Sequence, residues 1–312
     1  MNEKAAESAS APEKKKKKSG GSWLLVLVLL LGLGLIAYPT VSDWWNSFHA
    51  TRAIASYTAA VDSTDDARIE ELLEAAREYN SRLLQKENPF SMTEEEMAEY
   101  RSLLDVSGTG IIGYVQIPLL RVNVPVYHTT EESVLQVAVG HLEWSSLPIG
   151  GESTHSAISG HRGLPSARLF TDLDKMKEGD TFTITVLNQT VTYQVDQIRI
   201  VTPEDVSDLA IVPGEDYCTL VTCTPYGINT HRMLVRGRRI ENLQGELVVP
   251  PEAHRVPNYI TIPAVGIPLL FVFLAVMLVL TGRKRKPKEL KEVREELIQN
   301  VRKEERAREE KK

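Results

Sequence analysis

Residues 181–195 read TFTITVLNQTVTYQV. Thr181–Val186 and Val191–Val195 are runs of β-branched and aromatic residues, and Leu187-Asn188-Gln189 between them reads as the turn of a hairpin. The same texture continues on both sides. Ile111–Val126 is rich in Ile, Val and Leu and is broken by Pro118 and Pro125; Tyr217–Cys223 and Met233–Ile240 read as two further strands. A short apolar strand also runs through Ala157-Ile158-Ser159 into Gly160-His161. Helical patterning is sparse here and clearest over Glu131–Val139. Many short strands with Gly and Pro between them predict a mainly β chain closed into a barrel, spanning 108–245. No internal repeat is visible.

A helical region, 40–107, precedes the barrel. Ile69, Leu72, Leu73, Ala76, Tyr79 and Leu83 recur at three- and four-residue steps, which predicts a helix over 65–86. It should stop before Asn88-Pro89, because the residue before proline disfavours helical geometry. Thr93 and Glu96 fit a capping box and start a second helix.

Two uncharged apolar segments bracket this region, 23–39 and 259–281. The second is long enough to cross the ~30 Å hydrocarbon core. Trp23–Tyr38 is short for a span, but no small-x-small cleavage site follows it, so it reads as an uncleaved anchor. Lys14–Lys18 lie before the first segment and Arg283–Lys286 after the second, which predicts a two-pass membrane protein with both termini cytoplasmic and the barrel outside. Residues 40–258 carry 17 basic and 31 acidic residues, a balance of −14, against −6 for the whole chain. An acidic ectodomain argues against nucleic acid as a partner. The remaining pieces are a basic tail (1–22), a linker (246–258) and a charged tail (282–312). In that last tail Leu290, Val293, Leu297, Ile298 and Val301 fall on one helical face, a contact for membrane or partner or simply part of a solvated helix.

The chain has two cysteines, Cys218 and Cys223. Five residues along a strand is an odd step of about 16 Å, and a disulfide needs Cα atoms within about 7 Å, so both are expected as free thiols. Cys218 sits in mid-strand and suits a buried structural role. Cys223 ends its strand, where Thr224-Pro225-Tyr226-Gly227 opens a loop. A thiol there becomes a nucleophile when a base is at hand, although a buried structural cysteine is the alternative. His161, flanked by Gly160 and Gly163, is the candidate base, with His231 its rival among seven histidines. Arg232 would stabilise a developing oxyanion or serve as an ordinary surface arginine; residues 231 and 232 face opposite ways, so only one of them can face the site. Thr222 and Ser159 flank the pair as candidate substrate contacts. No metal-ligand spacing, nucleotide-binding glycine pattern or GxSxG elbow is present. No cofactor is expected.

Thr219-Leu-Val-Thr-Cys223 followed by Arg232 resembles the TLxTC…R signature of sortases, and Ser159-Gly160-His161 resembles their catalytic-histidine segment. Residues 140–180 and 223–237 look like class C, the pilin-polymerising sortases; the likeness covers roughly 65–245 and the two-anchor layout. It implies an eight-stranded sortase barrel, with Cys223 as nucleophile, His161 as general acid/base and Arg232 stabilising the tetrahedral intermediate. It implies cleavage of an LPxTG-like sorting signal, a thioester intermediate, and transfer to a lysine amine of a pilin subunit without metal or ATP. The resemblance also implies a lid with an Asp-Pro-aromatic motif. Asn88-Pro89-Phe90 occupies that place, so Phe90 would lie over Cys223 and residue 88 would contact Arg232. Asn in place of Asp exchanges a charge-assisted contact for a neutral one, about half as strong, and predicts a looser lid. The competing readings are a sortase that anchors surface proteins to cell-wall peptide and a non-catalytic membrane-anchored scaffold.

Overall fold

A computed structural model describes residues 20–86, 88, 90–242, 266, 269–277 and 288–309. Eight strands close into a barrel: β1 Ile111–Ile117, β2 Val122–His128, β3 Val139–His141, β4 Thr154–Ser159, β5 Thr181–Val186, β6 Gln189–Val201, β7 Asp216–Thr224 and β8 His231–Ile240. Around the barrel their order is β1-β2-β3-β4-β7-β8-β6-β5. The β2–β3 and β4–β7 pairs are parallel and the others antiparallel. Strand alternation fills the interior with one side of each strand: Ile112, Ile158, Phe182, Ile184, Tyr193, Leu220 and Val235 are essentially inaccessible to solvent.

Four helices precede or interrupt the strands: α1 Gly20–Asp62, α2 Asp66–Leu83, α3 Glu94–Ser102 and α4 Glu132–Leu135. The helix expected over 65–86 ends at Leu83. The predicted capping box is formed: the Glu96 N–H donates to Thr93 Oγ1 (3.2 Å) and the Thr93 N–H to Glu96 Oε2 (2.7 Å). Glu131–Val139, read as one helix, holds only the single turn of α4, because Val139 turns into β3 and pairs with Val126. The expected β5–β6 hairpin turns after Val186, with Val186 opposite Gln189. Beyond Val195 the apolar alternation fades at a bulge, yet β6 continues to Val201 along β8.

The helix begun at the first apolar segment does not stop at Pro39. Pro39 lies inside α1, which carries on to Asp62. Ala50, Ile54, Tyr57 and Val61 are buried at helical spacing along this extension. The Tyr57 hydroxyl fixes it by donating to the Ile112 carbonyl (3.1 Å) and accepting from the Leu187 N–H (2.7 Å). The barrel and the helices on it belong to one unit, residues 37–260; the other described residues belong to a second unit, treated separately. There, residues 269–277 are helical and Lys288–Glu309 forms the expected charged helix, with Leu297, Ile298 and Val301 exposed. Most of the second expected span, 259–281, lies outside the described residues. Among them, one helix is long and apolar enough to cross a membrane, within Leu27–Asp62.

Two buried histidines tie the parts together. The His141 Nε2–H donates to the Ser146 carbonyl (2.8 Å), leaving Nδ1 to accept from the Tyr100 hydroxyl of α3 (2.9 Å). The His155 Nδ1–H donates to the Ala210 carbonyl (2.9 Å), and Nε2 accepts from Thr219 Oγ1 (2.8 Å). Both rings are satisfied as neutral imidazoles. Burial holds the pKa of His141 down to about 3 and that of His155 down to about 4.

Candidate active site

The register of three neighbouring strands assembles the site. Ser159 of β4 lies level with Val221 of the parallel β7. The Gly160 N–H donates to the Val221 carbonyl (3.0 Å), and Thr222 Oγ1 donates to the Gly160 carbonyl (2.8 Å). Carrying that register two residues further brings His161 level with Cys223. On the other side of β7, Cys223 is the direct cross-strand partner of Arg232 in β8. Directly opposed residues project to the same face with Cβ atoms about 5 Å apart. The backbone therefore sets residues 161, 223 and 232 side by side, at the end of β4, the end of β7 and the start of β8.

This row lies on the outer face of the barrel. Cys218, Leu220, Met233, Val235 and Ile158 point into the main core. The intervening positions Ala157, Val221 and Leu234 join Leu209 in a second, small apolar cluster outside it. Cys223 shares the outer face with Val221, and Arg232 with Leu234. Cys223 is half-buried and Cys218 buried, both as free thiols, as their spacing predicts. Burial pushes the Cys218 thiol far above its ordinary pKa and leaves it inert. Arg232, not His231, takes the place beside the thiol; His231 is exposed and opposes Thr224.

His161 Nε2 is buried and has no hydrogen-bond partner among the described residues. A buried ring nitrogen costs free energy unless something completes it, and a reacting group can do so. Gly160 is required just before it. A Cβ at 160 would lie 2.7 Å from Phe170 Cδ2 and 2.8 Å from Val139 Cγ1. Phe170 in turn donates its N–H to the His161 carbonyl (3.2 Å).

Arg162 was not singled out in the sequence, yet it links the two loops of the site. Its guanidinium, with 9% of the side chain exposed, pairs with Asp174 (2.8 Å) in the loop after His161. It also donates to Thr224 Oγ1 (3.3 Å) and lies over the Tyr226 ring (5.9 Å) in the loop after Cys223. The signal available was an Arg beside the His; its partners lie 12 and 62 residues away and left no local pattern.

A cleft of about 140 Å³ adjoins the row, lined among others by Leu142, Ser159, Leu209, Val221, Arg232 and Leu234. A ~150 Å³ cavity holds a benzene-sized group, so the cleft is comparable in volume to one medium side chain; Asp205 and Arg232 line it beside the apolar residues. Ser159 lines it. Thr222 does not: it is 1% exposed, faces the interior and spends its hydroxyl on Gly160. The expectation of a substrate contact at Thr222 is replaced by a role in holding β7 to the backbone before His161.

Of the expected lid, Asn88 and Phe90 are described, and Pro89 lies outside the described residues. The Phe90 ring stands edge-on to Trp144, with centroids 5.1 Å apart. Arg232 donates to the carbonyls of Asn229 (3.3 Å) and His231 (3.2 Å), and no hydrogen bond from Asn88 to Arg232 occurs among the described residues. Lys86 spans the segment, pairing with Glu96 (2.8 Å) and donating to the Ser91 carbonyl.

A closed eight-stranded barrel that brings a thiol, an imidazole and a guanidinium to neighbouring strand ends holds the groups that covalent acyl chemistry uses. Residues 115–240 match the sortase domain family model. The crystal structure of sortase C1 from Streptococcus agalactiae is similar with 54% identity and a TM-score of 0.59, covering 62% of this chain and 100% of that one. A Clostridium perfringens sortase C solved with the C-terminal cell wall sorting motif shares 36% identity at a TM-score of 0.55, covering 62% and 100%. Among curated proteins, sortase A of Streptococcus agalactiae serotype III (strain NEM316) is 32% identical over 117 residues, 36% of this chain and 47% of the relative, so the match spans about half of that protein. The chain belongs to the sortase family, and the two solved relatives named above are sortases C.

Proposed function

We propose that this chain is a membrane-anchored cysteine transpeptidase that polymerises pilins. The observation that carries the proposal is the row His161–Cys223–Arg232 set beside a cleft comparable in volume to one side chain of a peptide. Cys223 Sγ attacks the carbonyl carbon of the scissile bond of an LPxTG-like signal, between Thr and Gly. The Arg232 guanidinium stabilises the oxyanion, and the C–N bond breaks as His161 delivers a proton to the leaving glycine amine. The acyl group rests on sulfur as a thioester. A lysine amine of a pilin subunit then attacks, His161 takes its proton, the new C–N bond forms and the C–S bond breaks. The leucine of the signal suits the cleft floored by Val221 and Leu234.

Asn88-Pro89-Phe90 serves as the lid, with Phe90 resting against Trp144 in the described arrangement. The N-terminal apolar helix anchors the chain, and the segment 259–281 is a second span that leaves both tails cytoplasmic. The 54% identity to a sortase C1 across that whole chain, against 32% to a sortase A over 47% of its length, favours pilin polymerisation over wall anchoring. The test is to incubate the enzyme with a pilin carrying both a sorting signal and its candidate acceptor lysines. A ladder of covalent multimers, lost in Cys223→Ala, supports the proposal; a single product linked to cell-wall peptide points to the anchoring class instead.

A further inference from the structure

Residues 38–48 of α1 have two different sides. Counting 100° per residue from Asp43, the side chains of Tyr38, Val41, Trp45 and Phe48 fall between about 140° and 220° around the helix, on the side away from Asp43. All four are exposed, as is Trp44. The side that carries Asp43 and Asn46 meets the barrel. Asp43 Oδ1 accepts from the Arg168 N–H (2.8 Å), and Asn46 Nδ2 donates to the Ser166 carbonyl (2.8 Å). Both partners sit in the loop Gly163–Thr171, which follows His161 directly and ends beside Phe170, the residue that grips the His161 carbonyl.

The sequence sets the height of this band. Trp23–Ser42 is uncharged for 20 residues, about 30 Å of helix, and matches the hydrocarbon core; Asp43 is the first charge after it. Tryptophan and tyrosine concentrate where the hydrocarbon meets the headgroups. Read alone, Trp23–Tyr38 is short for a span, and the continuation of α1 to Ser42 supplies the missing length.

We propose that Trp44, Trp45 and Phe48, with the loop Gly163–Thr171 on the opposite side of the helix, form a surface that docks in the headgroup zone of the outer leaflet. The occupant is a lipid bilayer, and the support is continuity of this aromatic band with the spanning helix. Asp43 and Asn46 set the level of the loop, so the backbone that carries His161 stands at the membrane surface and not at the end of a free tether. This inference rests on α1 being a membrane anchor and is independent of the pilin reading.

A depth measurement on the full-length chain tests it. In a Cys223→Ala background, with Cys218 buried, Ser166→Cys and Asn188→Cys each add one thiol for a fluorophore, half-buried at 166 and exposed at 188. Asn188 adjoins Leu187, which is held by Tyr57, eleven residues and about 16 Å further along α1 than Asn46. In phosphatidylcholine vesicles carrying a headgroup nitroxide, quenching at position 166 should exceed that at 188 by at least about threefold. Trp45→Ser with Phe48→Ser should halve the quenching at 166. Equal quenching at the two sites, or no effect of the aromatic pair, overturns the inference. Chains that do not float with the vesicles overturn the anchor itself, a result recognisable before any quenching is measured.

Discussion

Adding one methyl group at Gly160 should slow the reaction although residue 160 touches no substrate. An ideal Cβ would stand 2.7 Å from Phe170 Cδ2 and 2.8 Å from Val139 Cγ1, where carbons prefer about 3.5–4.0 Å. Phe170 and Val139 are both fully buried and have no open space to swing into. The backbone at 160 is not in the left-handed region, so alanine brings no strain of that kind. At an uncrowded site the exchange would stabilise by about 0.4–1 kcal/mol. Overpacking costs about 1–3 kcal/mol and outweighs that gain. For a unit of about 200 residues, a net loss of ~1–2 kcal/mol lowers Tm by roughly 2–8 °C. The strand end must shift to relieve the contact, and His161 moves with it. A misplacement of about 1 Å costs on the order of 10²-fold in rate. Peptide cleavage and thermal melting of Gly160→Ala measure both effects. Phe170→Leu in the same background should restore part of the rate, because the two changes share one space. Gly160→Ala with a rate within twofold of the parent and an unchanged Tm would refute the reasoning.

Other outcomes follow from the same geometry. His141 and His155, held down to about 3 and about 4 by burial, stabilise the fold fully above ~6.5 and progressively less as the pH falls below it. At about 1.4 kcal/mol per pH unit per group, the two together remove on the order of 6 kcal/mol between pH 6.5 and 4. Asp216, pushed upward by burial, works in the opposite direction. A urea midpoint that stays flat across that window would contradict this. A maleimide should modify Cys223 in the folded chain and leave Cys218 untouched until denaturant is added; equal labelling of both would show that the β7 faces are misassigned. Asn88→Asp should give the lid the charge-assisted contact to Arg232 that Asn88 does not make in the described arrangement, and slow deuterium uptake over residues 86–92 by severalfold; unchanged uptake would remove residue 88 from any lid latch.

How far the chain could be read depends on where each signal resides. The capping box at Thr93 and Glu96, the hairpin turn after Val186 and the strands β7 and β8 are local signals; the capping box stands where its sequence placed it, the turn closes one residue earlier at Gln189, and β7 and β8 extend the sequence reading by one or two residues. Strand β3 is three residues long and has too few positions to show alternation. The far half of β6 loses its pattern because a bulge resets the faces and Arg199 and Ile200 lie exposed. The parallel pairing of β4 with β7 joins segments 62 residues apart, so the alignment of His161 with Cys223 comes from the resemblance and not from spacing. Thr222 looked available because it adjoins the nucleophile, but adjacent residues of a strand face opposite ways. Arg162, Phe170 and the cleft wall at Leu209 act through tertiary contacts alone and left no trace in the local pattern.

The central claim is that Cys223 carries the acyl group. Intact-mass measurement of the protein during turnover of a sorting-signal peptide tests it most directly. The account predicts a mass gain equal to the acyl fragment through its threonine, located on the peptide containing Cys223, discharged by an added amine and absent in Cys223→Ala. Turnover by Cys223→Ala, or an adduct that persists in that variant, would contradict it.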